Sequence, residues 1–470
     1  MVNIPTRNPR RRPRVSGTAA VLGLAVTVVL LALTASAGAG KHRMASADQF
    51  LKATYFPIKL RAPGDPQEIR YDIFCLPPDG NAEGPGVCDG GGTVYFRAGG
   101  NVSASVPLHF DPDVQVGQFV AAVPPSIWSA PWFSYYAVIR DNTTGRTITL
   151  PQGGSSAPQF SFAMTSSAIG LGEHSFGAIR RASARVAGAE WGSGDGQVGL
   201  ENGIDMPAGA ASFDVDSSGD VFLLDEAKSR MLEFTGSGAP MPIALPGLTG
   251  VRADLRVNEA AGAAYVLETA NASLTKPLLR AYTLQGDVLG SSVVADAVAA
   301  QVRVAGATAY VSEYPSSMWA PVLQNNGRAP VDGSTQLVRA APGAPGVGGN
   351  VVVLSMGEEV RVGAYAPVGN TYQFSTARIT SATPVADIQL AQTLPSGRLL
   401  VVFSVYTDTQ HEYEAVVVNP AGALVDQFAL PAEDWAQSMP LSRFRLVGSS
   451  LYELGSTEDG VFVDRYDLGV

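Results

Sequence analysis

Each of a series of similar segments in the C-terminal part of this sequence places acid just after its second predicted strand. These residues are Asp225 with Glu226, Glu268, Glu313, Glu358 with Glu359, Asp408, and Glu458 with Asp459. Gathered on one face, such carboxylates would attract a cation or a basic ligand. The aromatic residues Tyr314, Trp319, Tyr406 and Tyr413 fall in or near the same loops and suit a recognition face. Asp225, Glu268, Glu313, Glu358, Asp408, Trp319 and Tyr406 are therefore the candidate ligand-binding residues. The competing role for the acids is mechanical, because a carboxylate at a strand end can brace its own loop by accepting backbone hydrogen bonds.

Other constellations yield less chemistry. Asp214-x-Asp216-x-Ser218-Gly219-Asp220, followed by Asp225, imitates a calcium loop. Its last position is Asp rather than a bidentate Glu, and residues 221–224 read as the returning strand of a hairpin. A tight turn is expected there, with calcium as the alternative; otherwise no cofactor and no metal is expected. Gly194-x-Gly196-x-x-Gly199 matches a dinucleotide fingerprint as text, but Gly203 and Pro207 follow where a helix is required. The histidines His42, His109, His174 and His411 are scattered, and no Gly-x-Ser-x-Gly nucleophile elbow occurs. No catalytic residue is assigned.

Cys75 and Cys88 are the only cysteines. In an oxidising compartment two cysteines leave one pairing. Their spacing is far from Cys-x-x-Cys, so a structural bridge is expected, worth about 3 kcal/mol by loop closure.

That compartment follows from the N-terminus. Arg7, Arg10, Arg11, Arg12 and Arg14 precede an apolar run from Gly17 to Ala35, and Ala35-Ser36-Ala37 offers a small-x-small cleavage pattern. This is the order of a secretory signal. An uncleaved anchor is the alternative, since the run could just span a bilayer. Either way the body is placed outside the cytoplasm, secreted or at the cell surface, with the membrane touched only through residues 1–37. The chain has formal net charge −10, and its body is more acidic once those arginines are set aside. Such a body repels phosphate backbones, which argues against nucleic acid as a partner.

The rest of the chain reads as all-β. Residues 38–65 are taken as a linker. Over 66–165, short strands are predicted at 69–76, 93–97, 106–110, 118–123, 134–141, 147–150 and 160–164, bounded by turn residues. Seven strands in so short a stretch imply an antiparallel β-sandwich. Beyond 166, apolar bursts repeat. Phe222, Tyr265, Tyr310, Val352, Leu400 and Tyr452 occupy equivalent places, spaced 43, 45, 42, 48 and 52 residues apart. Periods of that length with several strands each mean a β-propeller. The Gly-, Pro- and Asn-rich stretch 319–350 is expected as a surface loop.

The first repeat resembles the NHL-repeat family through Pro207, Gly209, Asp216, Gly219, Asp225 and Arg230, with Lys228 where Asn is usual. The resemblance covers residues 166–470, strongly in the first repeat and weakly later, and implies a six-bladed propeller. The last repeat ends without an outer strand. Residues 183–190 are expected to supply it by pairing with 461–467, since an open array would leave two exposed sheet edges. The function that follows is an exported, non-catalytic binding or scaffold protein. Its propeller loop face would recognise a protein, peptide or glycan. A propeller lyase or hydrolase acting on a small polar substrate is the alternative.

Overall fold

The computed structural model describes residues 50–469 apart from 77–85, 88, 100–101, 112–117, 203–206, 237, 250–252, 270–275, 295–298, 300, 313–317, 347–350, 358, 369–370, 434 and 437–441. The segment 1–37 and the side chains of Glu313 and Glu358 therefore lie outside the described residues.

The N-terminal part is two facing sheets. One contains Phe50–Tyr55, Glu68–Leu76, Gln118–Ala122 and His109–Phe110, with Gly86–Val87 paired to Glu68–Leu76. The other orders Leu60–Arg61, Gln159–Ala163, Trp132–Asp141, Gly90–Ala98 and Val102–Pro107, with Thr147–Leu150 paired to Trp132–Asp141. Alternate side chains turn inward, as the period-two pattern requires. Ile69, Tyr71 and Ile73 from one sheet meet Val94, Phe96, Phe133, Tyr135 and Ile139 from the other in one buried cluster. The Asp141–Gly145 turn closes the hairpin between Trp132–Asp141 and Thr147–Leu150.

The linker expectation for 38–65 is corrected over residues 50–61, residues 38–49 lying outside the described residues. Phe50–Tyr55 pairs antiparallel with Glu68–Leu76 in a register from Phe50↔Leu76 to Tyr55↔Tyr71. Leu60–Arg61 pairs in parallel with Gln159–Ala163. The alternation Leu51, Ala53, Tyr55 is the sequence signal for the first of these strands, and it buries Leu51 and Tyr55 in the sandwich core.

Beyond the sandwich, and apart from the short pair Glu201–Asn202 and Pro207–Ala208, stand six sheets among the described residues, each built on four antiparallel strands that follow chain order in the first five. The first runs Ser212–Val215, Val221–Asp225, Arg230–Phe234, Met241–Ala244; the second Ala253–Asn258, Ala263–Glu268, Leu278–Thr283, Val288–Val293. The third comprises Val302–Ala305, Thr308–Ser312, Trp319–Gln324 and Ala329–Pro330. The fourth comprises Ala344–Pro345, Val351–Met356, Val360–Val368 and Thr371–Thr380. The fifth runs Val385–Thr393, Leu399–Tyr406, His411–Val418, Leu424–Leu430. The sixth takes Phe444–Val447, Ser450–Ser456 and Gly460–Asp467 from the chain's end and Ala184–Glu190 from far upstream. Each marker residue of the 43-to-52 spacing lies in the second strand of its sheet. Contacts run from the first strand of one sheet to the next sheet, and Phe444–Val447 returns to Ser212–Val215. This radial repetition of four-stranded sheets is a β-propeller.

The array is tied at its ends as the sequence argument required. Ala184↔Arg465 through Glu190↔Gly460 is an antiparallel ladder with a bulge near Val186. The strand belongs to a longer strap. Ala168–Gly170 lies parallel to the outer strand of the fourth sheet. Ile179 bridges Ala429 at the outer strand of the fifth, and Ala184–Glu190 completes the sixth. One connecting segment thus covers three consecutive sheet edges, which otherwise expose unpaired backbone groups. The sandwich rests on the fourth sheet, where Arg361 donates to Leu60 O at 3.0 Å and to Asp65 Oδ1 at 2.7 Å. The Phe162 and Tyr365 rings stack there with centroids 4.0 Å apart.

The surface-loop expectation for 319–350 is also corrected. Trp319–Gln324 is a buried third strand, and Ala344–Pro345 is the first strand of the fourth sheet. Pro321 cannot donate to a ladder, and the register shifts beside its partner Tyr310. The Gly and Pro content that suggested a loop marks this irregularity and the Asn325–Gly327 turn, where φ is positive at all three residues.

Candidate functional site

The carboxylates after the second strands are placed as loop braces in the first two sheets. Asp225 is buried at the end of its strand, directly across from Arg230. It accepts from Arg230 Nε at 2.8 Å and from Gly199 N at 3.1 Å. Arg230 also donates to Gly194 O at 3.2 Å, so the glycine-rich turn is held to the first sheet. Glu226 accepts from Ala211 N and Ala253 N. Glu268 is 0% exposed, accepts from Thr249 N at 3.0 Å, and pairs with Arg280. These carboxylates face protein donors, which corrects the assignment of Asp225 and Glu268 as ligand contacts. Trp319 is corrected too, being 5% exposed within its strand. Glu359, beside the undescribed Glu358, accepts from Arg361 and Arg378. Asp408 is exposed and Tyr406 half-buried, so these two remain accessible on the loop side of the fifth sheet.

The calcium-like run is a hairpin turn. Asp216 Oδ1 accepts from Ser218 N and Asp220 N, each at 2.9 Å, and Gly219 supplies φ +90°. Asp214 points elsewhere, into the centre of the propeller. Cys75 lies in its strand opposite Gly86, while Cys88, two residues further on, is outside the described residues.

The centre of the propeller holds a charged cluster that sequence reasoning missed. Its members come from the first strands of four sheets. Asp254 Oδ1 accepts from Ser212 Oγ at 2.8 Å and from Arg445 Nη2 at 3.1 Å, and Asp254 Oδ2 from Val302 N at 2.8 Å. Asp214 Oδ2 accepts from Val257 N at 2.7 Å, and its Oδ1 from Arg256 Nη1 at 3.2 Å. Desolvation alone would raise the Asp254 carboxyl; Arg445, Arg256 and the Val302 N–H outweigh it and hold the group below its ordinary value. Arg303 completes the cluster, donating to Val302 O at 3.3 Å with its guanidinium 5.6 Å from the Trp319 ring centroid. The visible signal was polar residues inside otherwise apolar first strands (Asp254, Arg256, Arg303, Arg445). What the sequence could not supply was that four distant strands meet.

The described histidines form no catalytic pair open to solvent. His174 sits in the strap between Glu412 at 2.8 Å and Glu414, with its side chain 3% exposed. Glu412 also accepts from Gly177 N at 2.8 Å. This cluster fastens the strap to the fifth sheet.

An open cleft of about 420 Å³ lies on the outer face of the sandwich. Its floor is two cross-strand rows. Tyr136, Tyr95 and Ser105 form one row, and Ser134, Arg97 and Ser103 the other. The Tyr95 and Tyr136 rings stack with centroids 5.0 Å apart, and Tyr95 is 37% exposed. Ser155 and Pro158 close one side. Alternation along each strand hints at this set in the sequence; only the register of three strands assembles it.

No family model matches the sequence, and no curated protein matches it. Among solved structures, the chain is similar to selenomethionine-substituted virginiamycin B lyase from Staphylococcus aureus at 11% identity. That match has TM-score 0.30 and covers 56% of this chain and 85% of that one. It is similar to YCF48 bound to D1 peptide at 11% identity, TM-score 0.31, over 55% and 93% of the two chains. A protein from Lactobacillus plantarum matches at 11% identity, TM-score 0.30, over 81% and 93%.

Proposed function

We propose that this chain is an exported, non-catalytic binding protein that recognises an extracellular glycan, peptide or protein. Residues 1–37 direct export or anchor it, and the remainder consists of a β-sandwich and an NHL-like propeller of six blades. The observation that carries the binding reading is the sandwich cleft. It presents two accessible tyrosine rings beside a guanidinium and several hydroxyls, with backbone geometry fixed by three paired strands. Amphipathic rings with nearby donors and acceptors suit a polyhydroxylated ligand, whose C–H faces lie on the rings while its hydroxyls meet serine and arginine. The second contact zone is the loop side of the fifth sheet, with Asp408 and Tyr406.

The test is a binding panel of cell-wall glycan fragments and peptides against the purified ectodomain, repeated with Tyr95→Ala. Binding of a fragment, weakened at least tenfold by the substitution at unchanged fold, is expected. Binding that survives Tyr95→Ala and disappears in Asp408→Asn with Tyr406→Ala would move the site to the propeller. Turnover of a fragment would overturn the non-catalytic reading.

A further inference from the structure

The centre of the propeller contains more positive than negative charge. Around Arg303, the Asp214 carboxylate pairs with Arg256 and Arg445, and the Asp254 carboxylate pairs with Arg445. Three guanidiniums therefore share two carboxylates. Both carboxylates are already committed: Asp254 to Ser212, Val302 N and Arg445, and Asp214 to Val257 N and Arg256. Among the described residues, no carboxylate lies within ion-pair distance of Arg303. Arg303 is half-buried, so it retains access from solvent.

A second, independent feature points the same way. Arg445 is 2% exposed, and its Nε has no hydrogen-bond partner although Asp214 Oδ1 lies 3.3 Å away. A buried donor without an acceptor costs about 1–3 kcal/mol, more when charged. Burial lowers the Arg445 pKa only to about 10, so its guanidinium stays charged at neutral pH. A negatively charged acceptor placed there would relieve that cost and also balance the third guanidinium.

We propose that the propeller centre binds a small oxyanion, a carboxylate or phosphate group, between Arg303 and Arg445. The Arg303 fork supplies parallel N–H donors of the kind that clamp planar or tetrahedral oxyanions. The Trp319 ring backs the guanidinium and limits its swing. Desolvation, and after it the neighbouring Arg256 and Arg445, disfavour the charge on Arg303 despite Asp254 and Asp214, a cost that a bound anion would offset. The site is separate from the sandwich cleft and stands whether or not that cleft binds a glycan.

Inorganic phosphate is the probe, titrated against the purified ectodomain at constant ionic strength with chloride as the balancing anion. Saturable binding is expected by phosphorus NMR line broadening, with a matching rise in melting temperature. Arg303→Met should weaken phosphate binding at least tenfold and, without phosphate, melt no lower than the wild type, because it removes the unmatched charge. Arg303→Lys, which keeps the charge and loses the fork, should bind with intermediate affinity and serves if the Met variant does not fold. Arg97→Ala, at the sandwich surface, should leave phosphate binding unchanged. Absence of saturable binding, or equal binding by wild type and both Arg303 variants, overturns the proposal.

Discussion

The propeller and the sandwich treat their polar side chains in opposite ways. In the propeller, Asp225, Glu268, Asp214 and Asp254 point into protein and are met there by arginines and backbone N–H groups. On the sandwich, Tyr95, Arg97 and the serines around them point outward from strands whose inward side chains already form the core. A propeller packs both faces of each sheet against neighbouring sheets, so a polar residue on an inner strand has little water to turn to. A sandwich has two outer faces, and alternation delivers every second residue to one of them. Acid at a repeated position therefore signals a repeated structural need before it signals a ligand.

The largest effect that would break this comparison is expected at Glu268. Removing one partner of a buried, hydrogen-bonded ion pair costs about 3–5 kcal/mol, because the other charge and the Thr249 N–H are left unanswered. Glu268→Ala should lower unfolding free energy by that order, read by urea denaturation. Asp408→Asn, at an exposed loop position of the corresponding kind, should change it by less than about 0.5 kcal/mol. If Glu268→Ala costs no more than Asp408→Asn, the acids are not braces and the recognition ring returns.

The sequence made the repeat visible because strand alternation and turn residues are local properties. Phe222, Tyr265, Tyr310, Val352, Leu400 and Tyr452 could be aligned without knowing any contact. The closure by Ala184–Glu190 was legible for a related reason: a missing outer strand is a count, and a spare strand lay upstream. The partners of charged groups were not legible. Arg445 reaches Ser212 and Asp254, which are distant in sequence and adjacent only once the ring has closed. The strand Trp319–Gln324 was obscured because Pro321 is a loop signal unless a bulge accommodates it.

The next effect, on the sandwich side, concerns Cys75. Its strand pairs with Gly86–Val87, so the chain has already turned back beside Cys75 before it reaches Cys88. If the protein is exported as proposed, a bridge closing that loop would add about 3 kcal/mol. Intact mass should fall by two hydrogens relative to the reduced form. Cys75→Ser should lower sandwich stability by about that amount while leaving the propeller transition in place. Two free thiols in unreduced exported protein would remove this staple, and the sandwich would then rest on its apolar core alone.

The smallest effect tests an acid that departs from the propeller's rule. Asp387, in the first strand of the fifth sheet, is exposed, accepts from Gln389 Nε2 at 3.0 Å, and is matched by no arginine among the described residues. Desolvation by the surrounding protein pushes its carboxyl up to about 6 from an ordinary 3.8, and a backbone hydrogen bond at Ile388 only partly opposes this. The folded state therefore holds this proton more tightly than the unfolded chain. Its contribution to stability is fully present below pH 3.8 and is lost as pH rises through 6. Because the group is exposed, solvent screening keeps the loss below about 1 kcal/mol. Other carboxylates oppose this trend: Asp65 and Asp254 are held low by arginines and gain stability as pH rises. The difference between wild type and Asp387→Asn isolates the term. The variant should gain on the wild type by a few tenths of a kcal/mol between pH 4 and pH 6.5. A constant difference across that range would mean that Asp387 is solvated like Asp408 and that its neighbours do not raise its pKa.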